Sequence, residues 1–91
     1  MEIVYMPRAV EDIAYFKKIG NKAIQKKIEA LLKEIRETPY TGTGTGTGKV
    51  EALKYELSGY WSHRINGEHR IVYKVIDKQN VVEIYSLKGH Y

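Results

Sequence analysis

The residues best suited to chemistry in this 91-residue chain crowd into its last third. Gly59-Tyr60-Trp61-Ser62-His63-Arg64-Ile65 is followed by Glu68-His69-Arg70-Ile71-Val72-Tyr73, and the sequence closes on Gly89-His90-Tyr91. Arginine forks onto phosphate oxygens, and imidazole exchanges a proton near neutral pH. In a small basic protein, these groups together suit the binding or cutting of RNA.

Strand alternation decides which of them meet. Same-parity residues share a face, so Trp61, His63 and Ile65 go one way and Tyr60, Ser62 and Arg64 the other. Ile71, Tyr73 and Val75 form an apolar set that belongs against the core, which turns Arg70, Val72 and Lys74 outward. Arg64 and Arg70 then flank Asn66-Gly67, a two-residue hairpin signal, and converge on one open face. An isolated arginine there reads as solubilising charge. Two beside a tyrosine read as a phosphate site.

A carboxylate partner is less legible. Glu51, Glu56, Glu68 and Glu83 are all available, and Glu51 stands out only because it begins a strand just after a loop. His69 starts a strand, where it can bond to backbone. With no cysteine and no histidine pair at ligand spacing, a metal site is not expected. His90 sits in a tail that frays unless docked.

The elements that must carry these groups follow from periodicity. Residues 2–6 read as a strand. Pro7 suits a first helical turn, and Val10, Ile13, Ala14 and Lys17 predict a helix over 8–18. Asn21 is a natural cap for a second helix, whose Ile24, Ile28, Leu31 and Ile35 recur at i, i+4, i+7 and i+11 as one apolar stripe. Thr38-Pro39 ends it. Residues 41–48 are Thr-Gly repeated, a flexible loop by composition; a phosphate-binding Walker pattern fails because Thr43 and Val50 stand where it needs Gly and Ser or Thr. Strands are expected over 51–57, 60–65, 69–77 and 81–88. The fold expected is α+β: one domain over 1–91, with the N-terminal strand and two helices packed on one face of an antiparallel sheet.

Composition bounds the rest. Fifteen Lys and Arg against eleven Asp and Glu give a net charge of +4, which favours polyanionic or acidic partners. No leader pattern or membrane-length apolar run is present, so a reducing cytoplasm is the expected location and no membrane partner is expected.

Pro39-Tyr40, Gly48-Lys49-Val50-Glu51-Ala52-Leu53-Lys54, Leu57-Ser58-Gly59-Tyr60-Trp61-Ser62-His63-Arg64-Ile65, Glu68-His69-Arg70-Ile71-Val72-Tyr73 and His90-Tyr91 together resemble the YoeB/Txe toxins of the RelE superfamily. The resemblance covers nearly the whole chain. It implies a microbial-ribonuclease-like RelE fold and a ribosome-dependent mRNA endoribonuclease that acts in the A site without a metal or other cofactor. It also implies neutralisation by a cognate antitoxin protein, and homodimerisation. Carried over motif by motif, it makes Glu51 the general base, His90 the general acid and Arg70 the stabiliser of the phosphorane. Arg64 and Lys54 would aid Arg70, and Tyr91 and Tyr60 would orient a base. Two departures stand out: Val50 replaces the usual proline before the presumed base, and the Thr-Gly tract is longer than the family's loop. Rival readings are a non-catalytic toxin of the RelE/ParE superfamily and a plain RNA- or ribosome-binding module.

Overall fold

The computed structural model describes residues 1–39 and 50–89; the Thr-Gly tract, His90 and Tyr91 lie outside them. The elements run β1 (Glu2–Tyr5), α1 (Pro7–Lys18), α2 (Lys22–Glu37), β2 (Val50–Ala52), β3 (Trp61–Arg64), β4 (Arg70–Ile76) and β5 (Val81–Ser86). Short 3₁₀ turns occupy Tyr55–Leu57 and Asp77–Gln79. The architecture is the α+β arrangement expected, with one difference. The five strands are ordered β1-β5-β4-β3-β2, and β1 pairs parallel to β5, so the sheet is mixed. Side-chain alternation carries no information about strand direction. A parallel pair needs a long crossover, and everything between β1 and β5 supplies it.

Both helices begin as their sequences dictate. Pro7 opens α1, where its missing N–H costs nothing. Asn21 caps α2, its Oδ1 accepting from the Ile24 N–H at 3.0 Å, and Gly20 supplies the left-handed residue (φ +69°) that lets the chain turn between the helices. Ile24, Ile28, Leu31 and Ile35 are buried on one stripe, each worth about 1.5–3 kcal/mol when fully covered. They pack with Ile65, Ile71, Tyr73, Val82, Ile84 and Leu87 in one core. The stripe expected on α1 is offset by one residue: Val10 is 55% exposed, and Ala9, Asp12 and Phe16 are the buried set. An aspartate on the inward face hid the true stripe.

Three features of the strands also differ from regular alternation and tight turns. The strand expected over 51–57 ends at Ala52, because Tyr55 adopts φ +59°, a left-handed conformation incompatible with extended chain. The Asn66-Gly67 pair does not form a two-residue turn. Arg64 pairs with Arg70, so the connection is longer, and the Asn66 Oδ1 organises it by accepting from the N–H groups of Glu68 and His69 at 2.8 and 2.9 Å. Finally, Val72 pairs with Ser86 and Tyr73 with Ile84, leaving Tyr85 as a bulge. The bulge resets the alternation of β5: Val82 and Ile84 enter the core, Tyr85 and Ser86 take the other face, and Leu87 returns to the core.

Candidate active site

Register assembles the open face. Glu51 lies opposite Ser62, Ser62 opposite Val72, and Arg64 opposite Arg70. Alternation then gives Glu51, Ser62, Arg64 and Arg70 one side of β2, β3 and β4, away from the helices. The Arg70 Nη1 donates to Ser62 Oγ at 3.2 Å and lies 3.8 Å from Glu51 Oε2. That second distance is too long for a hydrogen bond, so the carboxylate and guanidinium face each other without closing. Glu51 is 57% exposed and Arg70 only 17%: the cation is held at the floor and the carboxylate stands free at the rim. Two arginines directly across a strand pair repel by a few tenths of a kcal/mol to about 1 kcal/mol, a cost that a bound anion cancels. A carboxylate able to take a proton and a fixed guanidinium able to grip a phosphate are thus side by side.

Residues 87–89 are brought to the same place by contacts with residues distant in sequence. Asp12 is 9% exposed at its side chain, and its Oδ2 accepts from the N–H groups of Leu87 at 2.9 Å and Lys88 at 3.1 Å. Gly89 follows in the left-handed region at φ +87°. Its N–H donates to His69 Nδ1 at 2.9 Å, and its carbonyl accepts from the Arg70 N–H at 2.9 Å. The first of these bonds requires an unprotonated Nδ1, so the ring carries its hydrogen on Nε2, which faces Glu68 Oε2 at 3.9 Å. Phe16 packs edge-on against the same ring, with centroids 5.1 Å apart. His69 therefore meets backbone, as its strand-start position predicts, and Gly89 is fixed at both polar groups beside Arg70.

The remaining candidates are placed less tightly. Lys54 is exposed just beyond β2, and no contact joins it to Glu51 or Arg70 among the described residues. Arg64 is exposed on the shared face. Tyr60 is half-buried and pairs with Tyr85, ring centroids 5.7 Å apart. His63 is fully buried on the Trp61 side of β3, its Nδ1 donating to the Arg64 carbonyl at 3.3 Å. His90 and Tyr91 fall outside the described residues. Ser62 and Asp12 were missed. A serine on the arginine face gives no signal, whereas an aspartate three residues after Ala9 and four before Phe16, on a buried stripe, does. Among the described residues no group of three or more His, Cys, Asp or Glu is arranged to hold a metal.

Comparison with known proteins gives the family. Residues 5–91 match the profile of the family described as YoeB-like toxin of bacterial type II toxin-antitoxin system. Toxin YoeB of Escherichia coli K12 is 43% identical over 77 residues, 85% of this chain and 86% of that protein. In solved structures, the YoeB-YefM complex from Staphylococcus aureus superposes with a TM-score of 0.80 at 46% identity, covering 100% of this chain and 98% of that one. A YoeB/ParE toxin from Agrobacterium tumefaciens gives a TM-score of 0.87 at 32% identity over the whole of both chains. The chain belongs to the family of YoeB-like toxins of bacterial type II toxin–antitoxin systems.

Proposed function

We propose that this toxin is an mRNA endoribonuclease that works on the ribosome, cutting translated messages and so arresting translation. The observation that carries the reading is the open-face set of Glu51 and Arg70, 3.8 Å apart, with Gly89, the residue before His90, hydrogen bonded to the Arg70 backbone. RNA brings its own nucleophile. Glu51 takes the proton of a 2′-OH, the freed oxygen attacks the adjacent phosphorus, and His90 protonates the departing 5′-oxygen. The products are a 2′,3′-cyclic phosphate and a 5′-OH. Arg70, held at its floor position by Ser62, stabilises the charge on the phosphorane, with Arg64 adding to the field. Lys54 and Tyr91 contact the RNA near the cut. Base and acid are each worth about 10²–10⁴-fold when well placed.

The S. aureus relative is known as a complex with YefM and also as a YoeB dimer. We extend to this chain a cognate antitoxin protein that holds it inactive, and self-association as a homodimer. No helix among the described residues is long and apolar enough to cross a membrane.

The test is 5′-end mapping of translated and untranslated messages in cells expressing the toxin, with Glu51→Gln and His90→Ala alongside. Codon-phased cuts confined to translated messages and lost in both variants are the expected result. Growth arrest with intact mRNA would instead mark a non-catalytic toxin, and cuts that survive both substitutions would remove these residues from the chemistry.

A further inference from the structure

One recess on the open face is not used by the chemistry above. It has a volume of about 350 Å³ and is lined by Met6, Pro7, Arg8, Tyr60, Glu83 and Tyr85. Its floor comes from register. Lys74 pairs with Glu83, and Tyr60 continues β3 by one residue past the Trp61–Tyr73 pair. Tyr60 also lies two residues from Ser62 on the same face, about 7 Å along the strand, and Ser62 accepts from Arg70. The recess therefore begins one step along the sheet from the phosphate clamp, within the reach of a single nucleotide.

Its chemistry selects a ligand class. The Tyr60 and Tyr85 rings, tilted by 58°, provide one face for a base to stack on and a second ring as a wall. Among the described residues the Glu83 side chain makes no ion pair or hydrogen bond, so its two oxygens are free acceptors. An ionised carboxylate can only accept, which suits a base edge with two adjacent donors. Guanine presents N1–H and N2–H₂ side by side. Adenine and cytosine pair one amino donor with a ring acceptor that would face the second oxygen, and uracil has one N–H between two carbonyls. Arg8 on the rim, and Lys74 with its Nζ 5.7 Å from the Tyr60 ring centroid, supply positive charge for the flanking phosphates. Single-stranded RNA is read in this way, by stacking and by hydrogen bonds to the Watson–Crick edge.

We infer that Tyr60, Tyr85 and Glu83 form a guanine pocket that reads the nucleotide next to the scissile phosphate and biases the toxin toward guanine-flanked cuts. This rests on the reading of the open face as the RNA site. The bulge at Tyr85 is what turns that ring toward Tyr60, so the pocket belongs to the local sequence of β5 as much as to the fold.

Two measurements test it separately from catalysis. Titrating the purified protein with 5′-GMP and 5′-AMP, followed by NMR shifts of the Tyr60, Glu83 and Tyr85 amides, should show GMP favoured on the order of tenfold. Glu83→Gln, a half-exposed isosteric change that spares the core, should abolish that preference. Mapped cuts on translated messages should shift in parallel, with guanine-flanked sites losing on the order of tenfold against the others in Glu83→Gln. Equal affinity for the two nucleotides, or a cut distribution unmoved by Glu83→Gln, would overturn the pocket while leaving the endonuclease intact. GMP preference in a protein that cuts no RNA would uphold the pocket and sink the catalytic reading.

Discussion

Removing the Asp12 carboxylate should loosen the C-terminal segment before anything else in the fold. Its Oδ2 holds two amide N–H groups, those of Leu87 and Lys88, at 2.9 and 3.1 Å. Hydrogen bonds to a charged acceptor contribute about 1.5–3 kcal/mol each. The two share one oxygen and are not additive, so Asp12→Ala should cost about 3 kcal/mol, including the penalty for buried amides left without an acceptor. For a domain of this size each kcal/mol lowers the melting temperature by roughly 4–8 °C, so a fall of about 12–24 °C is expected. Asp12→Asn keeps a neutral oxygen in place and should cost only about 1 kcal/mol. Thermal melting of both variants, with amide exchange at Leu87 and Lys88, is the assay. Exchange at those two amides should accelerate more than at core amides of β4. Because Gly89 follows directly and is bonded to Arg70, RNA cleavage should fall further than the folded fraction does. An alanine variant melting within about 4 °C of the parent, or alanine and asparagine variants equally destabilised, would refute the clamp.

Other expectations follow from individual contacts. Arg70→Lys should retain the fold but lose about 10²–10³-fold in single-turnover cleavage, since a point charge cannot both bond Ser62 and fork onto a phosphate. Ser86→Ala should be neutral or stabilising by up to about 1 kcal/mol in chemical denaturation, because Ser86 is 1% exposed and its Oγ has no hydrogen-bond partner among the described residues. Gly89→Ala should destabilise by about 1–2 kcal/mol, although no described residue crowds the position, because the residue sits at φ +87°. Its cleavage rate should fall with the melting temperature, whereas a variant unchanged in both would show that the left-handed turn is dispensable.

Much of the frame was legible in the chain. Regular spacing of Ile24, Ile28, Leu31 and Ile35 specified α2 and its buried face, because a helix brings such residues onto one stripe whatever lies opposite. Period-two alternation placed Arg64 and Arg70 on one side and Ile71 and Tyr73 on the other, since that outcome depends only on the strand existing. The resemblance singled out Glu51 and Arg70, which the fold brings to 3.8 Å.

What remained hidden depended on contacts distant in sequence. Asp12 and Leu87 are 75 residues apart, and no local pattern announces that a helix aspartate will hold the end of a strand. The direction of β1 needed the whole crossover. The left-handed Tyr55 shortened β2, and the bulge at Tyr85 reset β5, because backbone conformation there answers to pairing and turn geometry rather than to side-chain preference. By itself, then, the sequence determined which residues face the core and which face solvent along α2, β3 and β4, where the period is unbroken. That property is local, a matter of period and polarity. Only the tertiary structure decided which solvent-facing groups stand within reach of one another, because strand order, register and the docking of Gly89 beside Arg70 are set by packing among distant segments.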